Sequence, residues 1–286
     1  MLDTRRSWFS PLGALAATAV LGAGLLAVAH FAQRSDAAPR LTPLVLPRPS
    51  GGVLTNSDLG FGAADRAGAV GLASAPITVR YTFDGGVTEP ITDVAGGHEL
   101  RALGQNGGTL SLVPQGDGLA VRYPDRCTLI RERECPRAIL EGLRDDDLNP
   151  GTRPMRYGAS ILMTHSDLAD GANVFQKGYS VGGVSQFKLQ VDHRQGHPSC
   201  VIASRVRIYR AEPPVDVADG VWHDLACTRT GNRLVMTVDG VDRASVMVPA
   251  GLSIANAEPL RVGGKGANKG NDQYAGQIDN VFLAIS

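Results

Sequence analysis

The sequence has no surplus of charge of either sign: 28 Lys and Arg stand against 28 Asp and Glu over 286 residues. Binding to nucleic acid by phosphate neutralisation needs a basic surplus, so that class is excluded. Aromatic residues are few, at 5%, whereas glycines number 35. Short elements joined by tight turns are expected from such a balance, not long helices. Lysine is scarce too: Lys177, Lys188, Lys265 and Lys269 are the only four, a bias toward Arg of the kind seen in GC-rich bacterial sequences. No Cys-x-x-Cys or Gly-x-x-x-x-Gly-Lys-Ser/Thr occurs. Their absence removes the thioredoxin-like redox and phosphate-loop readings. What is present is 43% hydrophobic residues, ample for a packed core, in a length that allows one large domain or two small ones.

The N-terminus sets the compartment. Arg5 and Arg6 precede an apolar stretch from Pro11 to Ala32, and Ser35-Asp36-Ala37 supplies small residues of the kind found at cleavage sites. Residues 1–37 therefore read as a signal peptide, or as a retained signal anchor, because the apolar run exceeds the usual ~7–15 residues of a cleaved signal. Either way the chain is expected to be exported, secreted or anchored at a bacterial cell surface, touching membrane only through that helix. Outside the cytoplasm, four cysteines read as two disulfides. Of the three possible pairings, proximity favours Cys127 with Cys135 and Cys200 with Cys227.

Residues 38–76 hold early prolines and then Gly and Ala with few large apolar side chains, the composition of a linker. From 77 to 286 the texture changes to alternation. Val79, Tyr81 and Phe83 share one parity, as do Phe187, Leu189 and Val191, then Leu234, Met236 and Val238, then Val281, Leu283 and Ile285. Period 2 with one apolar face predicts half-buried strands. Asp239-Gly240 predicts a two-residue hairpin, and Arg137 to Leu143 predicts no more than a turn of helix. The fold class expected is all-β, a two-sheet antiparallel sandwich.

The C-terminal half carries a resemblance. Asp219-Gly220-Val221-Trp222-His223-Asp224-Leu225-Ala226-Cys227-Thr228-Arg229 resembles a signature of bacterial laminin-G-like domains, continued by Val238-Asp239-Gly240 and Pro259-Leu260-Arg261-Val262-Gly263-Gly264. Gly276-Gln277-Ile278-Asp279-Asn280-Val281 resembles their terminal strand, and Tyr81-Thr82-Phe83-Asp84-Gly85 their opening one. The resemblance spans 77–286 and implies a concanavalin A-like jelly roll in which Cys200 and Cys227 bridge two strands. It also implies a structural Ca²⁺ near Asp84 and Asp279, to which Asp93 and the Gly96-Gly97-His98 loop could add oxygens. The plain alternative is that these Asp residues cap turns.

Fold does not fix function, so the site must be read separately. The Glu-x-Asp-x-x-Glu strand of hydrolases with this fold is missing, and Glu132-Arg133-Glu134 reads as a solvated hairpin inside the first disulfide loop. The lyase-like Phe175-Gln176-Lys177-Gly178-Tyr179 lacks its histidine partner, because Asp279 follows Gln277-Ile278. The chain is thus expected to be non-catalytic. The loop Lys265 to Tyr274 brings Asn271, Asp272 and Tyr274 to a sandwich end, a residue set suited to sugar hydroxyls and a sugar face. Tyr179 and Lys188 are the further expected ligand residues. The reading is a binding module for an extracellular glycan or glycoprotein; a carbohydrate-active enzyme and a structural spacer are the alternatives.

Overall fold

The computed structural model describes residues 75–87, 90–168, 171–180, 184–192 and 194–286. The export segment and nearly all of the linker lie outside the described residues. In chain order the strands are β1 (Ile77–Tyr81), β2 (Ile91–Thr92), β3 (Glu99–Gln105), β4 (Ser111–Gln115) and β5 (Gly118–Tyr123). Then come β6 (Arg137–Gly142), β7 (Met155–Thr164), β8 (Asn173–Gly178), β9 (Gln186–Val191), β10 (Pro198–Ala203) and β11 (Ile208–Ala211). The last are β12 (Asp219–Thr230), β13 (Arg233–Val238), β14 (Val241–Met247), β15 (Leu260–Val262) and β16 (Gly276–Ile285).

These strands form two antiparallel eight-stranded sheets. Sheet A runs β14-β13-β12-β7-β16-β5-β4, with β1 also paired to β16. Sheet B runs β11-β10-β9-β8-β15-β6-β3-β2. Alternation sorts the side chains between core and outer face. Val79, Tyr81, Phe187, Leu189, Leu234, Met236, Val281 and Leu283 are all buried in the shared core, where Tyr157, Phe175 and Phe187 pack ring against ring. The Asp239-Gly240 turn joins β13 to β14 with both residues at positive φ, as a two-residue hairpin with matching twist requires.

Both disulfides form, and the second does more than join neighbours. Cys200 on β10 of sheet B bonds Cys227 on β12 of sheet A, so it crosses the core and ties the sheets together. Cys127–Cys135 closes a short surface loop. Inside that loop Glu132–Glu134 forms a 3₁₀ turn, not the hairpin expected from its alternating charge. Arg137 to Gly142 is a strand, not a helical turn. It pairs with β3 on one side and β15 on the other, and two backbone ladders outweigh weak local propensity.

Candidate functional site

The loop predicted to meet sugar is a self-satisfied network. Asn271 is buried; its Oδ1 accepts from Arg137 Nε at 3.0 Å, and its Nδ2 donates to Gly266 O and Gln273 Oε1. Gln273 in turn donates to the Ala138 and Gly263 carbonyls. The Arg137 guanidinium also holds Glu132, which accepts from the Gly270 amide at 2.7 Å. The loop is therefore buttoned onto β6 and onto the Cys127–Cys135 loop. A 440 Å³ cleft between them is walled largely by groups already paired, Glu132, Arg137, Asn271, Asp272 and Gln273, with the exposed Arg126 at its side. Asp272 forms an ion pair with Lys265 at 2.8 Å.

Tyr274 is not on the loop surface. Its ring is fully buried edge-on against Tyr123, and its hydroxyl donates to the Leu162 and Gln277 carbonyls. Its apolar body fills the core at the entry to β16, which a composition reading of an exposed loop could not foresee. Tyr179 stacks on Arg261, and its hydroxyl donates to Lys265 O at 2.9 Å. Lys188 faces outward on sheet B in a cross-strand row with Val201, Gln176, Arg261 and Glu141. Burial pushes its amine down to about 8, with Lys265 and Arg210 acting the same way against Asp272. Of the five expected ligand residues, Lys188 alone has no bonded partner for its polar group among the described residues.

The three expected calcium ligands divide into two places. Asp84 and Asp279 approach each other at the junction of β16 and β5. Asp84 Oδ1 accepts the Leu119 amide, and both Asp279 oxygens accept from Asn280. Burial raises the Asp279 carboxyl, and Asp84 and Asp224 add to that rise against Asn280 and Arg80. Asp93 instead closes its own loop, accepting from the Gly97 and His98 amides at 2.7 and 3.0 Å. Among the described residues, no three or more His, Cys, Asp or Glu side chains converge as a metal-holding group.

The open polar surface lies elsewhere, on the outer face of sheet A. Strand register places Arg80, Phe282, Gly158, Ala226 and Thr237 in one row across β1, β16, β7, β12 and β13. The next row carries Asp279, Ser160 and Asp224. Partners in register share a face, so these side chains stand together. Small residues at 158 and 226 leave a trough of about 540 Å³ between taller neighbours. At Gly158 a Cβ would run into the Leu225 carbonyl and meet the Phe282 ring at 2.8 Å, so glycine is what lets that ring lie over β7. A register shift between Asp279 and Phe282, with Asn280 at φ 50°, turns the Asn280 side chain toward Arg80.

Polar capacity remains open in this groove. Ser160 Oγ donates to one oxygen of Asp224 at 2.6 Å and leaves the other without a side-chain donor. Arg80 uses one nitrogen, Nη2, on Asn280 Oδ1 at 2.9 Å. The Arg156 guanidinium sits over the Phe282 ring, 4.9 Å from its centroid, and makes neither an ion pair nor a side-chain hydrogen bond among the described residues. The Gln115 amide at the groove edge is likewise without a side-chain partner. Sequence reasoning missed Arg80, Arg156, Ser160, Asp224 and Phe282. Their outward parity was readable, but their adjacency depends on strand order and register.

Comparison with known proteins agrees with this architecture. Residues 160–283 match the laminin G model described as the concanavalin A-like lectin/glucanases superfamily. No curated protein sequence matches the chain. Among solved structures, domain 4 of the extracellular arabinanase AbnA from Geobacillus stearothermophilus, in complex with arabinotriose, is similar at TM-score 0.54 and 14% identity, covering 73% of this chain and 91% of that one. The binding domain of Paraclostridial Mosquitocidal Protein 1 is similar at TM-score 0.53 and 12% identity, over 72% of this chain and 48% of that one. The binding domain of botulinum neurotoxin DC, in complex with rat synaptotagmin II, gives TM-score 0.51 and 9% identity over 72% and 47%. The chain thus spans about half the length of these last two. Identities this low carry the fold alone. Residues 160–283 thus resemble laminin-G-like domains, and with the strands before them they form one two-sheet sandwich of the concanavalin A-like kind.

Proposed function

We propose that this protein is an exported, non-catalytic glycan-binding module whose ligand lies in the groove on the outer face of sheet A. The observation that carries this reading is the pairing of a half-exposed ring, Phe282, with polar groups that have unfilled hydrogen-bonding capacity around a 540 Å³ trough. A sugar offers an apolar C–H face for the ring and paired hydroxyls for planar groups such as Asp224, Asn280 and the two guanidiniums. The disulfides support an oxidising compartment. The arabinotriose bound by the similar arabinanase domain is a ligand of the same class.

The arrangement of the acids supports binding without turnover. Asp279 is 4% exposed and accepts from Asn280 through both oxygens, so it is poorly placed to hand a proton to a glycosidic oxygen. The test is a glycan array probed with the protein, followed by calorimetric titration of the strongest hits against wild type and Phe282→Ala. Saturable binding that weakens in the variant is expected. Release of reducing ends or of unsaturated uronate would overturn the non-catalytic part, and an empty array would overturn the whole.

A further inference from the structure

The groove contains a charge asymmetry that a neutral sugar would leave unused. Arg80 rises from β1 and Arg156 from β7, on opposite sides of β16, so about 10 Å of sheet separates them at the usual strand spacing. Between them lies the Phe282 ring: Arg80 is its register partner and Arg156 sits against it. Neither guanidinium has a carboxylate within salt-bridge distance among the described residues. Some arginines elsewhere on this domain are paired: Arg137 with Glu132, Arg144 with Asp146, Arg210 with Glu212, and Arg261 with both Glu141 and Glu258. Arg80 and Arg156 share their open charge with surface arginines such as Arg101 and Arg243, but they stand together beside a ring in a groove.

Carboxylates are fewer than guanidiniums in the groove. Asp224 is the one carboxylate in its lining, and Ser160 holds one of its two oxygens. Asp279 is buried beneath Asn280, and Asp84 is turned to the Leu119 amide. A planar fork with free N–H groups beside an aromatic ring suits a planar anion carried on a sugar ring. We infer that the groove recognises an acidic glycan, with the uronate carboxylate read by Arg156 and Arg80 on either side of Phe282.

This inference rests on the glycan-binding reading, and the test separates the two. Wild-type protein is titrated with trimers of galacturonate, glucuronate and mannuronate, each as free acid and as methyl ester, at low and high salt. At least one free acid is expected to bind about tenfold more tightly than its ester at low salt, with the ratio shrinking as salt rises. Arg156→Gln is expected to bring that ratio close to one, and Arg156→Lys to leave it intermediate, since charge stays but the fork is lost. Melting curves of both variants confirm that they fold. Equal binding of acids and esters, or array hits confined to neutral glycans, overturns the acidic specificity and leaves the glycan-binding function standing. No binding to any glycan overturns both.

Discussion

The loop at 265–274 and the groove over β7 are built from similar residues, with Asn, Asp, basic side chains and a ring in each. They differ in where the hydrogen bonds go. In the loop, Asn271 and Gln273 bond to Arg137, to backbone carbonyls and to each other, and Tyr274 is sunk in the core. In the groove, Arg156 and Gln115 have no side-chain hydrogen bond and Asp224 keeps one oxygen open. A loop must satisfy its own backbone with whatever polar side chains it has, because no ladder does it. A strand's backbone is satisfied by its neighbours, so polar side chains on its outer face remain available. Polar composition alone therefore misleads about which surface binds.

The largest effect that would sharpen this contrast comes from the scaffold beneath both regions. Replacing Cys200 and Cys227 together with Ala is expected to cost about 3 kcal/mol of stability, read by denaturant unfolding. Next, Arg137→Ala strips the donor from buried Asn271 Oδ1 and from Glu132. It should destabilise by about 2 kcal/mol while glycan affinity stays within twofold; a large loss of affinity would move the site back to the loop. Phe282→Ala should do the reverse, weakening glycan binding about tenfold, or ~1.4 kcal/mol, with little change in melting temperature.

The smallest effect lies at the rim of the groove's sheet. His223 donates to or accepts from Asp239 at 2.8 Å and Asp219 at 3.1 Å. Burial pulls its pKa down, but those two hydrogen bonds and charges outweigh burial and raise it above the ordinary value. A raised histidine stabilises fully below its unfolded pKa of ~6.5 and loses that contribution as pH climbs through the folded value. Melting temperature should therefore fall over that window in wild type and fall less in His223→Gln. Equal slopes would show that the pair contributes nothing.

Much of the scaffold was legible in the residues. Val79, Leu234 and Val281 announced their strands by parity, Asp239-Gly240 its turn, and the cysteines their pairing. What parity could not carry was neighbourhood. Arg80 and Phe282 are 202 positions apart and face each other because β1 and β16 pair at one register. Ser160 meets both Asp224 and Asp279 for the same reason, and a bulge after Asp279 sets which side chains follow. Tyr274 was misread because its burial comes from Tyr123 of a different strand, β5.

The most direct test of where the ligand sits is a backbone amide shift titration with the tightest array glycan. Binding in the groove predicts perturbations at residues 80, 156–160, 224–226 and 280–282 with residues 265–273 quiet. Perturbations centred on 265–273, with 156–160 and 282 unmoved, would contradict the account.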